Sequence, residues 1–395
     1  MELRTYIRHF DYALLAAVFG LIGFGMLIIY SATHSDPNLP SQYYYVKVQA
    51  EAAFLGALLL IVIAFVDFRG LMAYRLHMYI GIIALIVLVF IIGAAAKGGQ
   101  RWIDLGFFRL QPSELAKVVM ILVLAAFLAG RQRGDLESHT TMITLGYAIV
   151  PALLVFLQPD FGTMLVLVAV ALALLFVYGT RLLHFLVIGV AIAVMLVMVM
   201  ELLPHAGIQL LKPYQVDRLL VFLHPDQDPG GTGYNLLQSK IAIGSGELTG
   251  KGLYEGTQTQ LSFLPEHHTD FIFSVLGEEL GFMGAAVLLA LYTVVVWRGV
   301  RIAIISDSLF GSLIAGGVVA MFVFEIFVNI GMTIGIMPIT GIPLPFMSYG
   351  GSSLVSNLLA VGLLESVHIR SRLQGDRRFR RAQIAGYPQE GCFAG

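Results

Sequence analysis

The chain has 395 residues, of which 58% are hydrophobic and 12% are charged, and its formal net charge is -1. Soluble domains normally carry about 25% charged residues, so this composition excludes an ordinary soluble globule and indicates an integral membrane protein. The nearly neutral balance gives no support for nucleic-acid binding, and the single cysteine, Cys392, excludes an intrachain disulfide framework.

Apolar runs close to the roughly 20 residues that cross a bilayer recur along the whole sequence. The first run lacks a small-residue cleavage site, so we interpret it as a retained span and not as a signal peptide. The predicted fold is an all-α integral membrane protein with ten transmembrane helices. The predicted spans are at about 12–32, 46–66, 76–95, 113–129, 142–157, 162–179, 182–203, 271–297, 308–334 and 350–369.

Basic residues orient these spans, because cytoplasmic loops carry an excess of Lys and Arg. With the N-terminus inside, fifteen of the 24 Lys and Arg residues fall on the inner side. We therefore predict cytoplasmic termini, a single membrane domain over residues 1–372 and a basic cytoplasmic tail over residues 373–395. The other nine fall outside, which suggests an anionic ligand there: Lys47, Lys97, Arg101, Arg109, Lys117, Lys212, Arg218, Lys240 and Lys251.

The longest polar connection runs from about residue 204 to residue 270, between the seventh and eighth spans. Connections longer than about 15 residues are usually functional or disordered. Residues 234–246 have the apolar periodicity of a short amphipathic helix. We therefore predict an ordered extracytoplasmic loop that lies against the membrane.

Two helix starts share a Gln-Pro pattern, at residues 111–117 (Gln-Pro-Ser-Glu-Leu-Ala-Lys) and 158–163 (Gln-Pro-Asp-Phe-Gly-Thr). Glu114 and Lys117 lie on one helical face, and a charge within a span costs about 3 kcal/mol on insertion scales. They either line a polar cavity or form an interfacial ion pair that anchors the helix. Asp160 either lines the same cavity as Glu114 or simply begins a helix.

The long loop carries cationic and polar side chains among many glycines. Such side chains beside exposed backbone amides suit a phosphate or diphosphate group, and solvated loop charges are the alternative. The residues of this set are Arg218, Gln238, Ser239, Lys240 and Lys251.

Asp270 stands where the long polar connection becomes the eighth span. A helix start favours the ionised carboxylate, while partial burial raises a carboxyl pKa. A general base needs both properties, so Asp270 is the candidate base.

The neighbours of this aspartate are less specific. His267 and His268 raise the question of a metal, but no second pair of ligands accompanies them, so we interpret them as loop-shaping residues. Glu278 and Glu279 must avoid lipid, and we predict structural pairing with another span.

The ninth span carries Glu325 and Asn329 at i,i+4, and a proline-flanked segment rich in Ser and Gly follows it. That segment, which includes Ser348 and Ser352, is predicted to fold back at the outer face. It either binds substrate or seals the bundle.

These residues together resemble the SEDS family (shape, elongation, division and sporulation proteins), over nearly the whole chain from Tyr12 to about Arg372. The matching blocks are residues 97–103, 111–117, 158–163, 268–271 and 343–352. Residues 238–246 and 256–261 are most similar to the RodA-like elongation branch.

The resemblance implies a peptidoglycan glycosyltransferase of the cytoplasmic membrane that polymerises lipid II on the outer face for cell elongation and rod shape. It also implies a partner, a class B penicillin-binding protein with transpeptidase activity. In the family, the aspartate of the His-Thr-Asp block is required for activity, which carries over to Asp270. The family's paired Glu and Lys in the central cavity carry over to Glu114 and Lys117. No cofactor is assigned, and a divalent cation, Mg²⁺ or Mn²⁺, stays open.

Two other functions fit the same pattern of spans. A charged central cavity among ten helices would serve a flippase or transporter of a lipid-linked precursor. A non-catalytic scaffold that activates a penicillin-binding protein is the second alternative.

Overall fold

The computed structural model describes most of the chain and leaves Lys97, Arg218 and the first part of the predicted long loop outside the described residues. It covers residues 6–34, 40–96, 99–104, 106, 109–131, 137–198, 231–260, 263–264 and 267–384.

Helices account for most of the described chain, and all of the main ones except α8 are long or apolar. They are α1 (Tyr12–Thr33), α2 (Tyr44–Phe65), α3 (Arg75–Ile92), α4 (Pro112–Ala129), α5 (Glu137–Leu157), α6 (Phe161–Tyr178), α7 (Leu182–Val197), α8 (Thr232–Ser245), α9 (Ile272–Ile305), α10 (Leu309–Ile334) and α11 (Gly351–Ile384). Within the described ranges, nine helices are long and apolar enough to cross a membrane, and α7 contributes a shorter apolar helix. The predicted all-α multi-pass membrane fold is confirmed. The seventh predicted span continues to residue 203, beyond the described part of that segment.

Several span boundaries differ from the prediction. The third span is preceded by a helical turn, Phe68–Leu71, and a 3-10 turn, Met72–Tyr74. It ends at Ile92 and not at residue 95, because the chain then enters a small antiparallel sheet that hydropathy alone does not reveal. Its strands are β1 (Ala94–Ala96), β2 (Gly99–Asp104) and β3 (Arg109–Leu110), in the order β1-β2-β3.

The last helix is longer than its apolar run. We predict a span that ends near residue 369, whereas α11 continues to Ile384. Residue 373, where the cytoplasmic tail is predicted to begin, lies within this helix. The assignment of residues 373–395 to a cytoplasmic tail stays a prediction.

The centre of the bundle is formed by α4 and α11. In their most apolar windows, 83% of the α4 residues and 94% of the α11 residues are buried inside the protein, against 17% for the third span. A helix that is apolar all round and enclosed by neighbours can hold charged groups only where they meet partners. The charges of α4 therefore need partners from the helices around it.

The helix that follows Asp270 is interrupted at Gly281, whose backbone angles are φ 59° and ψ -156°. The loop after α8 packs against this break. Phe282 N donates to Glu247 O at 2.9 Å and Met283 N donates to Leu248 O at 3.0 Å. In the reverse direction, Lys251 N donates to Glu278 O at 3.0 Å. The loop thus supplies the hydrogen bonds that the interrupted helix cannot make within itself.

The predicted helix at residues 234–246 is confirmed as α8, which packs against α9 and α10. The segment that follows α10 has no helix or strand between Ile334 and Gly351, and its predicted position at the outer face stays a prediction. Both features lie at the end of the bundle that contains Asp270. We call this end the Asp270 face, and the opposite end, where α1 begins at Asp11, the Asp11 face.

The docked loop depends on Gly250, so Gly250→Ala is expected to destabilise the protein. Gly250 has φ +78°, and an added Cβ would lie 2.1 Å from Glu279 O. The left-handed backbone alone costs roughly 1–2 kcal/mol for an alanine. The unfolding midpoint in detergent should fall for this variant. Gly244→Ala is the control, since a Cβ there has no atom within 4 Å and alanine suits the helix interior better than glycine. Equal midpoints for the two variants would contradict the docking.

Candidate functional site

The loop before α9 is held through three consecutive backbone carbonyls. Tyr349 N donates to His268 O at 3.0 Å, and Ser348 Oγ donates to Thr269 O at 2.6 Å. The third carbonyl, Asp270 O, accepts a hydrogen bond from Asn329 Nδ2 at 2.9 Å. We call this set the carbonyl clamp. It fixes the backbone of the aspartate without using the side chain for that purpose.

The carboxylate of Asp270 lies half-buried at the start of α9, two residues before Ile272. Its neighbour across the site is Gly341, where an added Cβ would lie 3.4 Å from Asp270 Oδ2. Gly341 has φ +75°, a conformation that suits glycine. The carboxylate therefore faces backbone of the folded-back segment, at a helix N-terminus that favours its ionised form.

The folded-back segment 335–350 is tied to three helices. Asn329 Nδ2 donates to Ile342 O at 2.8 Å from α10. From α2, Gln49 Nε2 donates to Ser348 O at 3.1 Å, and Gly350 N donates to Gln49 Oε1 at 3.2 Å. Close to α1, a Cβ on Gly25 would lie 2.7 Å from Met347 O. The segment thus seals the bundle and also forms one wall beside Asp270.

The sequence left open whether Ser348 and Ser352 bind substrate or seal the bundle, and in the structure their hydroxyls make internal hydrogen bonds. Ser348 Oγ accepts from Leu344 N at 2.9 Å in addition to its bond to the clamp. Ser352 Oγ accepts from Gln111 N at 3.0 Å and donates to Arg109 O at 2.5 Å. Both hydroxyls thus position backbone, as the sealing alternative requires.

Aromatic side chains enclose the clamp. The ring of Tyr45 lies 4.5 Å from the His268 ring and 4.7 Å from the Tyr349 ring, measured between centroids. Burial raises the pKa of the Tyr349 hydroxyl to about 12, so this phenol is neutral at physiological pH.

At the centre of the bundle, Lys117 is buried between two carboxylates, and its side chain is only 1% exposed. Its Nζ lies 2.8 Å from Glu114 Oε2 on α4 and 2.5 Å from Glu325 Oε1 on α10. The predicted pair of Glu114 and Lys117 is present and gains a third member. This triad connects α4 to the face of α10 that carries Asn329, one turn further along.

The two Gln-Pro helix starts meet through Asp160. Its Oδ2 accepts from Gln111 Nε2 at 3.1 Å and from Ser113 Oγ at 3.0 Å, and its Oδ1 accepts from Thr163 N at 3.2 Å as the cap of α6. Asp160 is thus both a helix cap and the link to α4. Asp160 is only 7% exposed. Its carboxylate lies beside the buried start of α4, the helix that carries Glu114.

The predicted phosphate-binding set is separated by the fold. Ser239 is fully buried and bonds to Ser274 Oγ at 2.6 Å and Thr333 O at 2.7 Å. Its hydroxyl thus lies in the contact through which α8 packs against α9 and α10. Gln238 is half-buried on α8, and Arg218 lies outside the described residues.

Lys240 remains exposed on the Asp270 face. Its side chain lies over the end of α10, where a Cβ on Gly335 would be 2.5 Å from the lysine Nζ. A cation is favoured at a helix C-terminus. Lys251, the last member of the set, instead forms an ion pair with Glu278, with Nζ 2.7 Å from Oε1.

The two glutamates of α9 both have structural partners, but only Glu279 meets another span as predicted, because Glu278 bonds to the loop after α8. Besides Lys251, Glu278 Oε1 accepts from Gln258 N at 3.1 Å. Glu279 Oε1 accepts from Ser31 Oγ on α1 at 2.6 Å. Both carboxylates thus hold α9 to its neighbours, below the clamp.

The two histidines shape the loop. The ring nitrogens of His267 lie 2.8 Å from Leu264 O and 3.0 Å from Ala32 O, which joins the loop to the end of α1. Among the described residues, no group of three or more His, Cys, Asp or Glu side chains has an arrangement that could hold a metal ion.

Four further residues position this site, and sequence reasoning did not assign them a role. Glu325 and Asn329 carried a signal, since polar side chains inside a span need partners. Gln49 has the same signal in α2. Arg101 lies on β2, where its side chain donates to Gln158 O at 3.0 Å and to Pro159 O. Nothing in the local pattern distinguishes it from a solvated arginine.

Comparisons with known proteins agree with this arrangement. A family profile of cell cycle proteins, named for FtsW, RodA and SpoVE, matches residues 12–373. The peptidoglycan glycosyltransferase MrdB of Escherichia coli is 40% identical over 365 residues, which cover 92% of this chain and 95% of that protein. Stage V sporulation protein E of Bacillus subtilis is 37% identical and covers 89% of this chain and 95% of its own length.

Solved structures show the same fold. A chain of a peptidoglycan synthase complex, described as coordinating polymerization and crosslinking, has a TM-score of 0.77 and 31% identity, over 92% of this chain and 98% of its own. The rod shape determining protein RodA of Thermus thermophilus has a TM-score of 0.65 and 28% identity, over 91% of this chain and 96% of its own.

The bundle of membrane helices with a polar site at one end, taken with these relatives, defines a membrane-embedded glycosyltransferase. The chain belongs to the FtsW, RodA and SpoVE family, as the resemblance in its sequence predicts.

The triad gives a prediction about stability. Lys117→Met should lower the unfolding midpoint in detergent strongly, because removing one partner of a buried ion pair costs roughly 3–5 kcal/mol. The double variant Lys117→Met/Glu325→Gln should recover part of that loss, since it leaves fewer buried charges without a partner. Lys47→Met, at an exposed position of α2, is the control. A Lys117→Met protein that unfolds at the wild-type temperature would rule out the triad as a stabilising contact.

Proposed function

We propose that this chain polymerises lipid II into glycan strands for cell elongation and rod shape, with Asp270 as the general base. The observation that carries the proposal is the carbonyl clamp, which holds the aspartate backbone while its half-buried carboxylate faces Gly341. A base must be held in position to act. The names of the relatives support the substrate class, since MrdB is a peptidoglycan glycosyltransferase.

The proposed reaction is a displacement at the anomeric carbon of the donor sugar. The Asp270 carboxylate accepts the proton of the acceptor sugar's hydroxyl, and that oxygen forms the new glycosidic bond. The bond between the anomeric carbon and the diphosphate breaks, and the lipid diphosphate leaves with the bonding electron pair. Protonated Asp270 then returns its proton to water.

Cations near this site would stabilise the departing diphosphate, where negative charge develops in the transition state. Lys240 is exposed at the end of α10, on the face of the protein that carries Asp270. We propose that it acts together with Arg218, from the long loop. Lys251 is excluded from this role because Glu278 already pairs with it.

A divalent cation, Mg²⁺ or Mn²⁺, stays a proposed cofactor that would neutralise the diphosphate. The described residues do not form a metal site of their own, so no step of the proposed reaction is assigned to such an ion.

The proposed location is the inner, cytoplasmic membrane, with both termini cytoplasmic and Asp270 on the extracytoplasmic side. The excess of Lys and Arg on the inner side supports this orientation.

The proposed partner is a class B penicillin-binding protein that crosslinks the product strands. Its support is the similarity to a chain of a peptidoglycan synthase complex.

The alternative functions make different use of the same features. A flippase would use the buried charges of Glu114, Lys117 and Glu325 along a transport path, and it would form no polymer in detergent, where no two-sided membrane exists. A scaffold for a penicillin-binding protein would need neither Asp270 nor Lys240.

Asp270→Asn should abolish glycan polymerisation, because an amide cannot accept the proton of the acceptor hydroxyl. Purified chain, with and without its partner, is incubated with lipid II in detergent, and the products are separated by size. A fall of roughly 100-fold or more in rate is expected for loss of a general base. Glu255→Gln, an exposed carboxylate on the same face, is the control. Unchanged synthesis by Asp270→Asn in the purified pair would favour the scaffold.

Ser348→Ala should slow polymerisation because it removes the donor to Thr269 O and leaves Leu344 N without its acceptor. Small misplacement of a catalytic group costs up to about 100-fold in rate, and we expect at least a tenfold fall. Ser371→Ala is the matched control, since its buried hydroxyl bonds to Val367 O at the other end of the bundle. Both are assayed below their unfolding midpoints. A rate for Ser348→Ala that equals that of the control would refute the clamp's role.

The double variant Arg218→Ala/Lys240→Ala should polymerise lipid II more slowly, because the leaving diphosphate loses two cationic partners. Hydrogen bonds to charged groups contribute about 1.5–3 kcal/mol each, so a fall of at least about tenfold is expected in initial rate. Lys47→Ala serves as the control for an exposed cation on the same side of the bundle. Polymerisation at the wild-type rate by the double variant would disprove the assignment of the diphosphate site.

A further inference from the structure

A polar cavity opens at the Asp11 face, at the opposite end of the bundle from Asp270. It has a volume of about 400 Å³. The start of α1, the lower part of α9 and the lower part of α11 surround it. Its polar lining consists of Arg8, His9, Asp11, Arg298, His368 and Arg372. None of these residues takes part in the site described above.

The floor of the cavity is built by a fixed ion pair. Asp11 Oδ2 lies 2.6 Å from Arg298 Nε and 2.5 Å from Arg298 Nη2. The same carboxylate caps α1, because Asp11 Oδ1 accepts from Leu14 N at 3.1 Å. Arg298 is thereby neutralised and held in place. Beneath it, Glu365 Oε2 accepts from Asp11 N at 3.0 Å.

The rim carries positive charge that the floor does not neutralise. Arg8 and Arg372 are both exposed, and neither has an ion-pair partner within the part of the chain that the structure describes. Two guanidinium groups thus face one cavity from different elements. Guanidinium groups bind phosphate and carboxylate oxygens through parallel N–H donors.

A buried side chain also points to a ligand. His368 is only 5% exposed and lines the cavity. Its Nδ1 has no hydrogen-bond partner in the described structure. A buried polar atom without a partner is costly and needs an explanation. An oxygen atom of a bound group would supply that partner.

Two aromatic residues show the depth of the cavity relative to the membrane. Tyr12 is 58% exposed and lines the cavity at the start of α1, and Trp297 is 59% exposed beside Arg298 on α9. Tyr and Trp are enriched at the level of the lipid headgroups. The cavity therefore lies where phosphate groups of the bilayer are concentrated.

We propose that this cavity binds a phosphate group, presented by an anionic phospholipid headgroup. Arg8 and Arg372 contact the phosphate oxygens from the rim, and His368 hydrogen-bonds to the group from the floor. The occupant connects the start of α1 to the end of the α11 span. This site is independent of the proposed glycosyltransferase mechanism.

The test compares lipid retention by the purified full chain. Native mass spectrometry measures the binding of phosphatidylglycerol and of phosphatidylcholine to the wild type and to Arg8→Gln/Arg372→Gln. We expect tighter binding of phosphatidylglycerol by the wild type and at least a tenfold weaker affinity in the double variant. Both substitutions are at exposed positions, and equal unfolding midpoints will verify that the variant is folded.

A charge-matched control separates a built site from general attraction to basic residues. Arg181→Gln/Arg301→Gln removes two exposed arginines from the same face and should leave phosphatidylglycerol affinity unchanged. Equal weakening by the two double variants, or no weakening by Arg8→Gln/Arg372→Gln, would overturn the proposal.

Soluble phosphates distinguish the source of the group. Glycerol 3-phosphate and inorganic phosphate are added to the wild type, and the shift in unfolding midpoint is measured. A rise that the Arg8→Gln/Arg372→Gln variant lacks supports a site that recognises phosphate from either source. No rise, with selective lipid retention, supports a site that requires the headgroup within a membrane.

Discussion

The position of Lys117 between Glu114 and Glu325 is the contact on which the rest of the structure depends. A lone charge at this depth would be costly, so α4 and α10 must stay close enough for the ammonium to reach both carboxylates. Asn329 lies one turn beyond Glu325 on α10, and its amide reaches the backbone of Asp270. The buried charges at the centre of the bundle therefore determine the position of the helix that supports the candidate base.

Around Asp270, the side chains that position the backbone are different from those proposed to take part in the reaction. The serine and amide side chains that could have contacted a substrate instead form hydrogen bonds with the protein backbone. Ser348 bonds to Thr269 O, and Ser352 bonds to the backbone at the start of α4. Asn329 bonds to two backbone carbonyls. The groups that the proposed reaction would use are a carboxylate, Asp270, and an exposed cation on the same face, Lys240. An enzyme that transfers a sugar from a diphosphate needs these two kinds of group, and needs them held rigidly.

Much of the fold follows from local composition, because apolar runs of sufficient length form spans and charges in them require partners. The sequence therefore predicts the helices, the pair of Glu114 and Lys117 and the special place of Asp270. It does not identify Glu325 as the third member of the triad, since that contact joins residues 208 positions apart. Nor does it show that Ser239 is buried, because that depends on how α8 packs against Ser274 and Thr333. The β-sheet and the break at Gly281 likewise depend on tertiary hydrogen bonds.

The break in α9 has a mechanical consequence. Above Gly281, the short segment with Asp270 at its start is held by the carbonyl clamp, by Ser31 and by the loop that docks at Gly250. Below it, residues 282–305 continue as the membrane part of the helix. The loop after α8 bridges the two parts, since Lys251 N donates to Glu278 O above the break, and Phe282 N and Met283 N donate to Glu247 O and Leu248 O below it. Tyr292 in the lower part also donates to Pro345 O of the folded-back segment at 2.6 Å. The loop and the segment that surround Asp270 therefore also brace the membrane part of α9.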